Sequence, residues 1–159
     1  MKELRIETTV REFAVNELDV KYKKLYDSAF LASEQAYAPY SNFHVGAAVL
    51  LENGEIVLGN NQENAAYPSG LCAERTALFY AGAHYPDVPV CVLAIAGMNE
   101  KGDRVEMITP CGACRQVMLE TEQRHGRKIE VLLCGKEKAY LLSSASSLLP
   151  LCFGKENLE

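Results

Sequence analysis

Three cysteines and one glutamate have the residue types and the spacing of a zinc centre. Cys72 and Glu74 lie two residues apart, and Cys111 and Cys114 belong to a later Pro-Cys-x-x-Cys sequence. Three thiolate ligands leave the fourth position of a tetrahedral zinc open for water, as in catalytic sites, whereas structural sites have four protein ligands. A carboxylate beside such a metal can carry protons to and from that water. The pattern therefore predicts Cys72, Cys111 and Cys114 as metal ligands and Glu74 as the general acid and base.

A helix start is predicted at each of the two cysteine sequences. Cys111 and Cys114 share a face if they lie in the first turn of a helix, and Cys72 falls in the first turn of an earlier helix. Thr109 is the predicted cap of the later helix and Pro110 its first residue, where a missing N–H costs nothing. Two positive helix ends would then face one metal and offset the net negative charge of three thiolates and Zn²⁺.

The elements that position these residues include both strands and helices. A helical pattern follows Asn16, its predicted cap, and ends before Pro39. Strands at 44–51 and 55–58 are joined by an Asn-Gly pair, which favours a hairpin turn. The later pattern predicts a helix at 71–83, a strand at 88–97, the helix with the second cysteine pair, strands at 129–133 and 139–142, and a short helix from residue 144. This order predicts an α/β fold of three layers (α/β/α), in which a mixed five-stranded sheet has helices on both faces.

Residues 1–15 are predicted to be an N-terminal extension of a single domain that comprises residues 16–159. In the extension, Leu4, Ile6, Thr8 and Val10 alternate with charged or polar residues, which is the period of a strand. We therefore expect either an extra edge strand or an arm that packs on a neighbouring subunit.

Bulk composition restricts the classes of function. The 159 residues suffice for one domain with a real core, and 48 % hydrophobic and 23 % charged residues are ordinary for a globular protein. A net charge of −5 argues against nucleic acid as a partner, since proteins that bind it carry basic patches. No apolar run is long enough for a bilayer and the start lacks a signal-peptide core, so we expect a cytoplasmic protein without a membrane partner. In that reducing compartment, paired cysteines indicate a metal rather than a disulfide.

The chain resembles the cytidine deaminases of the short, three-cysteine, homotetrameric type. The resemblance follows the family's order over most of the chain after residue 37. It is carried by residues 39–43, 45–48, 61–65, 69–77, 109–116, 148–150 and 153–154. It implies the cytidine deaminase fold, one Zn²⁺ per chain, and the hydrolysis of cytidine and deoxycytidine to uridine, deoxyuridine and ammonia in pyrimidine salvage.

The resemblance also implies the roles of individual residues. Glu74 moves a proton from the attacking water to the pyrimidine ring nitrogen, and Arg75 hydrogen-bonds the ligand thiolates. Asn61 and Glu63 hold the sugar hydroxyls, and Phe43 packs against the base.

Three further residues imply an active site shared between subunits. By resemblance, Ala65 supplies a backbone contact, Tyr67 reaches a neighbouring subunit's site, and Phe153 covers the base across the subunit boundary. These roles imply an obligate homotetramer whose substrate is a small nucleoside.

Other functions stay open on sequence grounds. A blasticidin-type nucleoside-antibiotic deaminase shares both cysteine sequences, although Asn61, Glu63 and Phe153 favour plain nucleosides. The negative net charge and the short chain disfavour an enzyme that edits nucleic acid. A non-catalytic zinc-binding protein would need a fourth protein ligand, which no residue obviously supplies.

Overall fold

Six strands and three α-helices make up the part of the chain that the structure, a computed structural model, describes, which is residues 1–158. The strands are β1 (Arg11–Ala14), β2 (His44–Leu51), β3 (Ile56–Asn60), β4 (Val90–Met98), β5 (Glu130–Cys134) and β6 (Lys138–Leu142), and the helices are α1 (Val20–Ser33), α2 (Ala73–His84) and α3 (Gly112–His125). Short 3₁₀ turns occupy Val15–Glu17, Tyr67–Ser69, Ala145–Leu148 and Lys155–Asn157. None of the helices within residues 1–158 combines the length and the apolar character needed to cross a membrane.

The strands form one mixed sheet in the order β1-β6-β5-β4-β2-β3. β4 and β5 run parallel, and the other neighbours are antiparallel. α1 packs on one face through buried residues such as Leu25 and Tyr26. α2 and α3 pack on the opposite face, where Leu78 and Met118 join a second buried cluster. The predicted three-layer α/β/α fold is confirmed.

The predicted count of five strands is wrong, because β1 adds a sixth at the edge of the sheet. β1 pairs with β6, with Ala14 opposite Lys138 and Arg11 opposite Leu141. The alternating residues 4–10 lie upstream of this strand and have no regular secondary structure. β6 ends one residue after Leu141, so the chain before Arg11 has almost no strand left to pair with.

The predicted cap of the first helix is also wrong. Asp19 caps α1, and its side chain accepts a hydrogen bond of 3.0 Å from the N–H of Tyr22. Asn16 lies in the 3₁₀ turn that precedes the helix. Glu17 stabilises that turn by accepting a hydrogen bond of 3.0 Å from the N–H of Ala14. The α-helix therefore begins after the turn.

Glycines on two strands let helices approach the sheet closely. A Cβ atom on Gly46 of β2 would lie 2.0 Å from Ala29 O and 2.4 Å from Ser33 N, which are backbone atoms of α1. A Cβ atom on Gly59 of β3 would lie 2.5 Å from Ala73 O in the first turn of α2. The sheet therefore contacts the backbone of both helices and holds each at a defined position.

We expect Gly46→Ala to lower the free energy of unfolding by about 3 kcal/mol, because the added methyl group overlaps backbone that cannot move aside easily. Urea unfolding followed by circular dichroism measures the change. Gly82→Ala on α2 is the matched control: its Cβ would meet a flexible side-chain atom, Arg124 Nη1, at 3.4 Å, and alanine favours a helix. Equal unfolding free energies for the two variants would contradict this account of the packing.

Candidate metal centre

The three predicted cysteine ligands come together where two helices begin. All three sulfur atoms lie within 4.8 Å of one another. Cys111 Sγ is 3.8 Å from Cys72 Sγ and 3.6 Å from Cys114 Sγ. A tetrahedral zinc with Zn–S bonds of about 2.3 Å holds its sulfur ligands roughly 3.8 Å apart. The donor set therefore fits one Zn²⁺ per chain.

Each helix begins at a cysteine. Cys72 is the N-cap residue of α2, and Cys111 is the N-cap residue of α3. The predicted start of α3, with Thr109 as cap and Pro110 as first residue, is therefore wrong. The first helical hydrogen bond of α3 runs from Arg115 N to the carbonyl of Cys111, at 3.0 Å, which sets the helix start at that cysteine. The N–H groups of both first turns lie beside the cysteines and favour negative charge there.

The cysteine cluster is accessible from one side. Cys114 is buried, Cys72 is partly buried and Cys111 is exposed. No other histidine, cysteine, aspartate or glutamate in the described part of the chain joins the group. Three protein ligands with access to solvent leave one tetrahedral position for water, as in catalytic zinc sites.

Hydrogen bonds favour a thiolate at Cys72. The bond from Cys114, followed by those from Arg75 and Cys111, lowers the pKa of Cys72 to about 5, although burial opposes this shift. Arg75 Nη2 lies 3.7 Å from Cys72 Sγ, and this contact raises the pKa of Arg75. Arg75 Nε is buried and has no hydrogen-bond partner among residues 1–158, so the guanidinium keeps an unused donor close to the cluster. The hydrogen bond with Cys72 and burial raise the pKa of the Cys114 thiol, so these hydrogen bonds concentrate the negative charge at Cys72, beside the Arg75 guanidinium.

Glu74 is buried next to the first cysteine. It is the second residue of α2, and only 4 % of it is exposed. Burial raises the pKa of its carboxyl group, and the charge of Cys72 raises it further. A carboxyl group whose pKa moves toward neutral pH can both accept and donate a proton under the same conditions.

Asn61 and Glu63 fasten the loop that leads into β2. Asn61 Oδ1 accepts a hydrogen bond of 2.8 Å from Val45 N, and its Nδ2 donates one of 3.0 Å to Phe43 O. Glu63 accepts hydrogen bonds from Ser41 Oγ, at 2.5 Å, and from two backbone N–H groups. The bond from Ser41 holds the pKa of Glu63 below its usual range. Phe43, Asn61 and Glu63 thus belong to one network of hydrogen bonds.

This network connects to the metal cluster through the backbone. Gln62 and Leu71 pair as an antiparallel bridge, with N–H to O distances of 2.9 and 3.0 Å. Leu71 directly precedes Cys72, and its partner Gln62 lies between Asn61 and Glu63. The structure brings these two predicted sugar ligands into the neighbourhood of the metal site.

The other predicted substrate residues lie at the surface of the chain. Ala65 is exposed, the Tyr67 side chain is 91 % exposed and Phe153 is 59 % exposed. The carbonyl of Phe153 accepts a hydrogen bond of 2.8 Å from Gln116 Nε2, two residues after Cys114 on α3. Phe153 is therefore anchored near the start of α3 while its ring stays largely open to solvent.

Two side chains at the site had no predicted role. Ser41, besides binding Glu63, accepts a hydrogen bond of 3.0 Å from Phe43 N. Ser41 lies in residues 39–43, the first segment that resembles the family, and this position could have indicated a role at the site. Arg115 Nε donates to the carbonyl before Cys111, at 2.9 Å, and Nη1 donates to Leu148 O, at 3.0 Å. The second partner lies 33 residues away, so no local pattern could have indicated it.

Known cytidine deaminases are similar to this chain over most of its length. The family model for the cytidine and deoxycytidylate deaminase zinc-binding region matches residues 19–126. The cytidine deaminase of Halalkalibacterium halodurans is 49 % identical over 96 residues, which are 60 % of this chain and 68 % of that protein. The cytidine deaminase of Sporosarcina psychrophila is 40 % identical over 136 residues, which are 86 % of this chain and 93 % of that protein. A crystal structure of cytidine deaminase from Burkholderia pseudomallei matches with a TM-score of 0.70 and 41 % identity, over 83 % of this chain and 98 % of that one.

We expect Cys72→Ala to lose most of its zinc, because two remaining thiolates make an incomplete site. Metal analysis of the purified protein by mass spectrometry measures the ratio of zinc to chain. Cys91→Ala is the matched control, since Cys91 lies in β4 outside the cluster, and it should keep its zinc. A full complement of zinc in Cys72→Ala would remove this cysteine from the ligand set.

Proposed function

The chain belongs to the cytidine and deoxycytidylate deaminase family, and from this premise we propose that it catalyses the zinc-dependent hydrolysis of cytidine and deoxycytidine. The products are uridine or deoxyuridine, and ammonia. One observation carries the proposal: three cysteine sulfurs within 4.8 Å of one another lie at two helix starts, with the buried carboxyl group of Glu74 two residues from Cys72. This is the arrangement that a catalytic zinc with a neighbouring proton carrier needs.

Glu74 is the proposed proton carrier. Zinc held by the three cysteines would supply an activated water near neutral pH. Glu74 accepts a proton from the water that attacks C4 of the pyrimidine and passes it to the adjacent ring nitrogen. A second proton, from the hydroxyl group now on C4, reaches the exocyclic amino group. The bond from C4 to this nitrogen breaks, ammonia leaves, and C4 keeps a carbonyl oxygen. The raised pKa of the buried carboxyl group suits a residue that must both take and give a proton.

Arg75 is proposed to adjust the charge of the metal site. Three thiolates outweigh the two positive charges of Zn²⁺, and an over-negative site makes a bound water a weaker acid. The guanidinium of Arg75, 3.7 Å from Cys72 Sγ, withdraws negative charge from that sulfur. The N-termini of α2 and α3 act in the same direction.

Phe43, Asn61 and Glu63 are proposed to bind the nucleoside, with Phe43 packing against the base. The amide group of Asn61 uses one donor hydrogen and one acceptor site on the backbone of the 43–45 segment, which leaves one of each for a sugar hydroxyl. The carboxylate of Glu63 accepts three hydrogen bonds and has room for a fourth. Both side chains can thus hold the sugar without breaking the contacts that position them.

We further propose a homotetramer with shared active sites. Tyr67 and Phe153 expose aromatic rings, and Leu151 is 88 % exposed close to Phe153. Leu151 and Phe153 lie two residues apart in the chain, and neighbouring exposed apolar side chains favour contact with another subunit. In this arrangement Ala65 contributes a backbone contact, while Tyr67 and Phe153 reach the nucleoside bound by a neighbour.

A cytoplasmic role in pyrimidine salvage is proposed for this enzyme. None of the six cysteines, all within residues 1–158, forms a disulfide, and thiolate metal ligands need a compartment that keeps them reduced. Residues 16–159 would form the deaminase domain, and residues 1–15 an extension that adds β1 to the sheet.

The alternative substrate is a blasticidin-type nucleoside antibiotic, which the same metal chemistry could deaminate. Asn61 and Glu63 favour an unmodified sugar, since both are positioned with hydrogen-bonding capacity to spare. Parallel assays with cytidine and such an antibiotic separate the two possibilities. A non-catalytic zinc protein is disfavoured because no fourth ligand joins the cluster within residues 1–158.

Glu74→Gln should retain zinc and reduce turnover of cytidine about 10³-fold, because glutamine cannot carry the proton. The decrease of the ultraviolet absorption band of cytidine measures the rate, and metal analysis measures the zinc. Glu120→Gln, an exposed substitution on α3, is the matched control and should keep the wild-type rate. Near-normal turnover by Glu74→Gln would exclude Glu74 as the proton carrier.

Phe153→Ala should raise the KM for cytidine about tenfold, the value of one lost stacking contact with a base. Its thermal unfolding should change little, because the ring is 59 % exposed. The control is Leu158→Ala, which truncates another exposed apolar side chain near the chain end. If the KM of Phe153→Ala equals that of wild type, the ring does not cover the base.

A further inference from the structure

One face of α3 holds the C-terminal segment, residues 143–158. Arg115 Nη1 donates to Leu148 O at 3.0 Å, and Gln116 Nε2 donates to Phe153 O at 2.8 Å. Two more side chains bind the segment seven residues further along the helix, on the same face. The four side chains are Arg115, Gln116, Glu122 and Gln123. The helix that presents two cysteines of the cluster is therefore also the support for the segment that carries Phe153.

Arg115 differs from the other three side chains because it also donates a hydrogen bond to the loop that carries a metal ligand. Its Nε donates to Pro110 O at 2.9 Å, and Pro110 is the buried residue directly before Cys111. Its Nη1 binds Leu148 O, five residues before Phe153. One guanidinium thus joins the loop of a metal ligand to the segment of the residue proposed to cover the substrate.

We propose that Arg115 is a positioning residue that couples zinc retention to the placement of the C-terminal segment over the active site. The part that concerns the substrate rests on the proposed function, in which Phe153 covers the base. The part that concerns the metal rests on the position of Pro110 and Cys111 alone.

The chemistry of the guanidinium suits this role. Its N–H donors have a fixed planar arrangement, so two bound carbonyls are held at a defined separation. Pro110 is buried, and a buried carbonyl that loses its donor draws the backbone toward another partner or toward water. Movement at Pro110 shifts Cys111, and movement at Leu148 shifts the segment that ends at Phe153. Lysine keeps the charge but presents one ammonium group, which cannot span both carbonyls in the same way.

The first test compares Arg115→Met and Arg115→Lys with Arg124→Met. Arg124 is the matched control, because it also lies on α3 and donates to a backbone carbonyl, Pro86 O at 3.2 Å, but within residues 1–158 it makes no hydrogen bond to either segment. Two quantities are measured on the zinc-loaded protein: the rate of zinc release to a chromogenic chelator, and the rate of amide hydrogen exchange in residues 148–154.

Arg115→Met should accelerate both processes about fivefold or more, the effect of one lost hydrogen bond. Arg115→Lys should lie between it and wild type, and it provides the same test if the methionine variant does not fold. Arg124→Met should leave both rates at the wild-type values. Wild-type rates of zinc release and exchange in both Arg115 variants, or equal acceleration in Arg124→Met, would overturn the proposal.

The second test is a double-mutant cycle on the KM for cytidine with Arg115→Met and Phe153→Ala. If Arg115 acts on the substrate by placing Phe153, its effect on KM should disappear in the Phe153→Ala background. Independent, additive effects would overturn the coupling to the substrate. If Phe153→Ala alone leaves KM unchanged, the proposed role of Phe153 fails, and zinc release and hydrogen exchange still decide whether Arg115 couples the two segments.

Discussion

The active site depends on the meeting of two helix N-termini on one face of the sheet. α2 and α3 deliver Cys72 and Cys111 as their N-cap residues, with the sulfurs 3.8 Å apart. A helix turns about 100° per residue, so a shift of one residue in either start would point a sulfur away from the cluster. Packing on the sheet opposes this shift. The backbone of α2 lies against Gly59 of β3, and Met118 anchors α3 in the same buried cluster. The packing of the fold is thus what makes the cysteine cluster possible.

The same arrangement resolves the electrostatic problem of the site. Three thiolate ligands would repel each other in a partly buried cluster, and the helix ends and the Arg75 guanidinium beside Cys72 would offset this repulsion. Glu74 experiences opposing influences: the N-terminus of α2 favours its ionised form, whereas burial favours the protonated form. Burial dominates, because the pKa of the carboxyl group is raised. The raised pKa of Glu74, the proposed proton carrier, is therefore a consequence of how deeply the first turn of α2 is buried.

Features that depend on contacts between distant parts of the chain were harder to predict from the sequence than features that depend on local patterns. The α/β/α layers follow from hydrophobic periodicity, which is a local property. The cysteine cluster joins residues 39 positions apart and could be predicted because its ligand types and their spacing match a known kind of zinc site. Asn16 and Asp19 are equally good cap residues by type, and the choice between them depends on the turn that Glu17 closes. An extra edge strand within residues 1–15 is one of the two expectations from the sequence, but its position at Arg11–Ala14, after the alternating residues 4–10, depends on where β6 offers a free edge. Arg115 and Leu148 are 33 residues apart, so no local sequence pattern predicts the hydrogen bond between them. The substrate roles of Asn61, Glu63, Phe43, Ala65, Tyr67 and Phe153 remain predictions.

The residues predicted to bind substrate form two groups, which differ in how firmly the rest of the chain holds them. Hydrogen bonds hold the side chains of Asn61 and Glu63 and the backbone of Phe43, so binding a nucleoside would cost this group little conformational freedom. Tyr67 and Phe153 are exposed, and their rings have freedom left to lose. The first group can therefore set which sugar and base are accepted, because its geometry exists before the substrate arrives. The second group gains its order only when something covers it, which fits the proposal that these two rings belong to an active site shared between subunits.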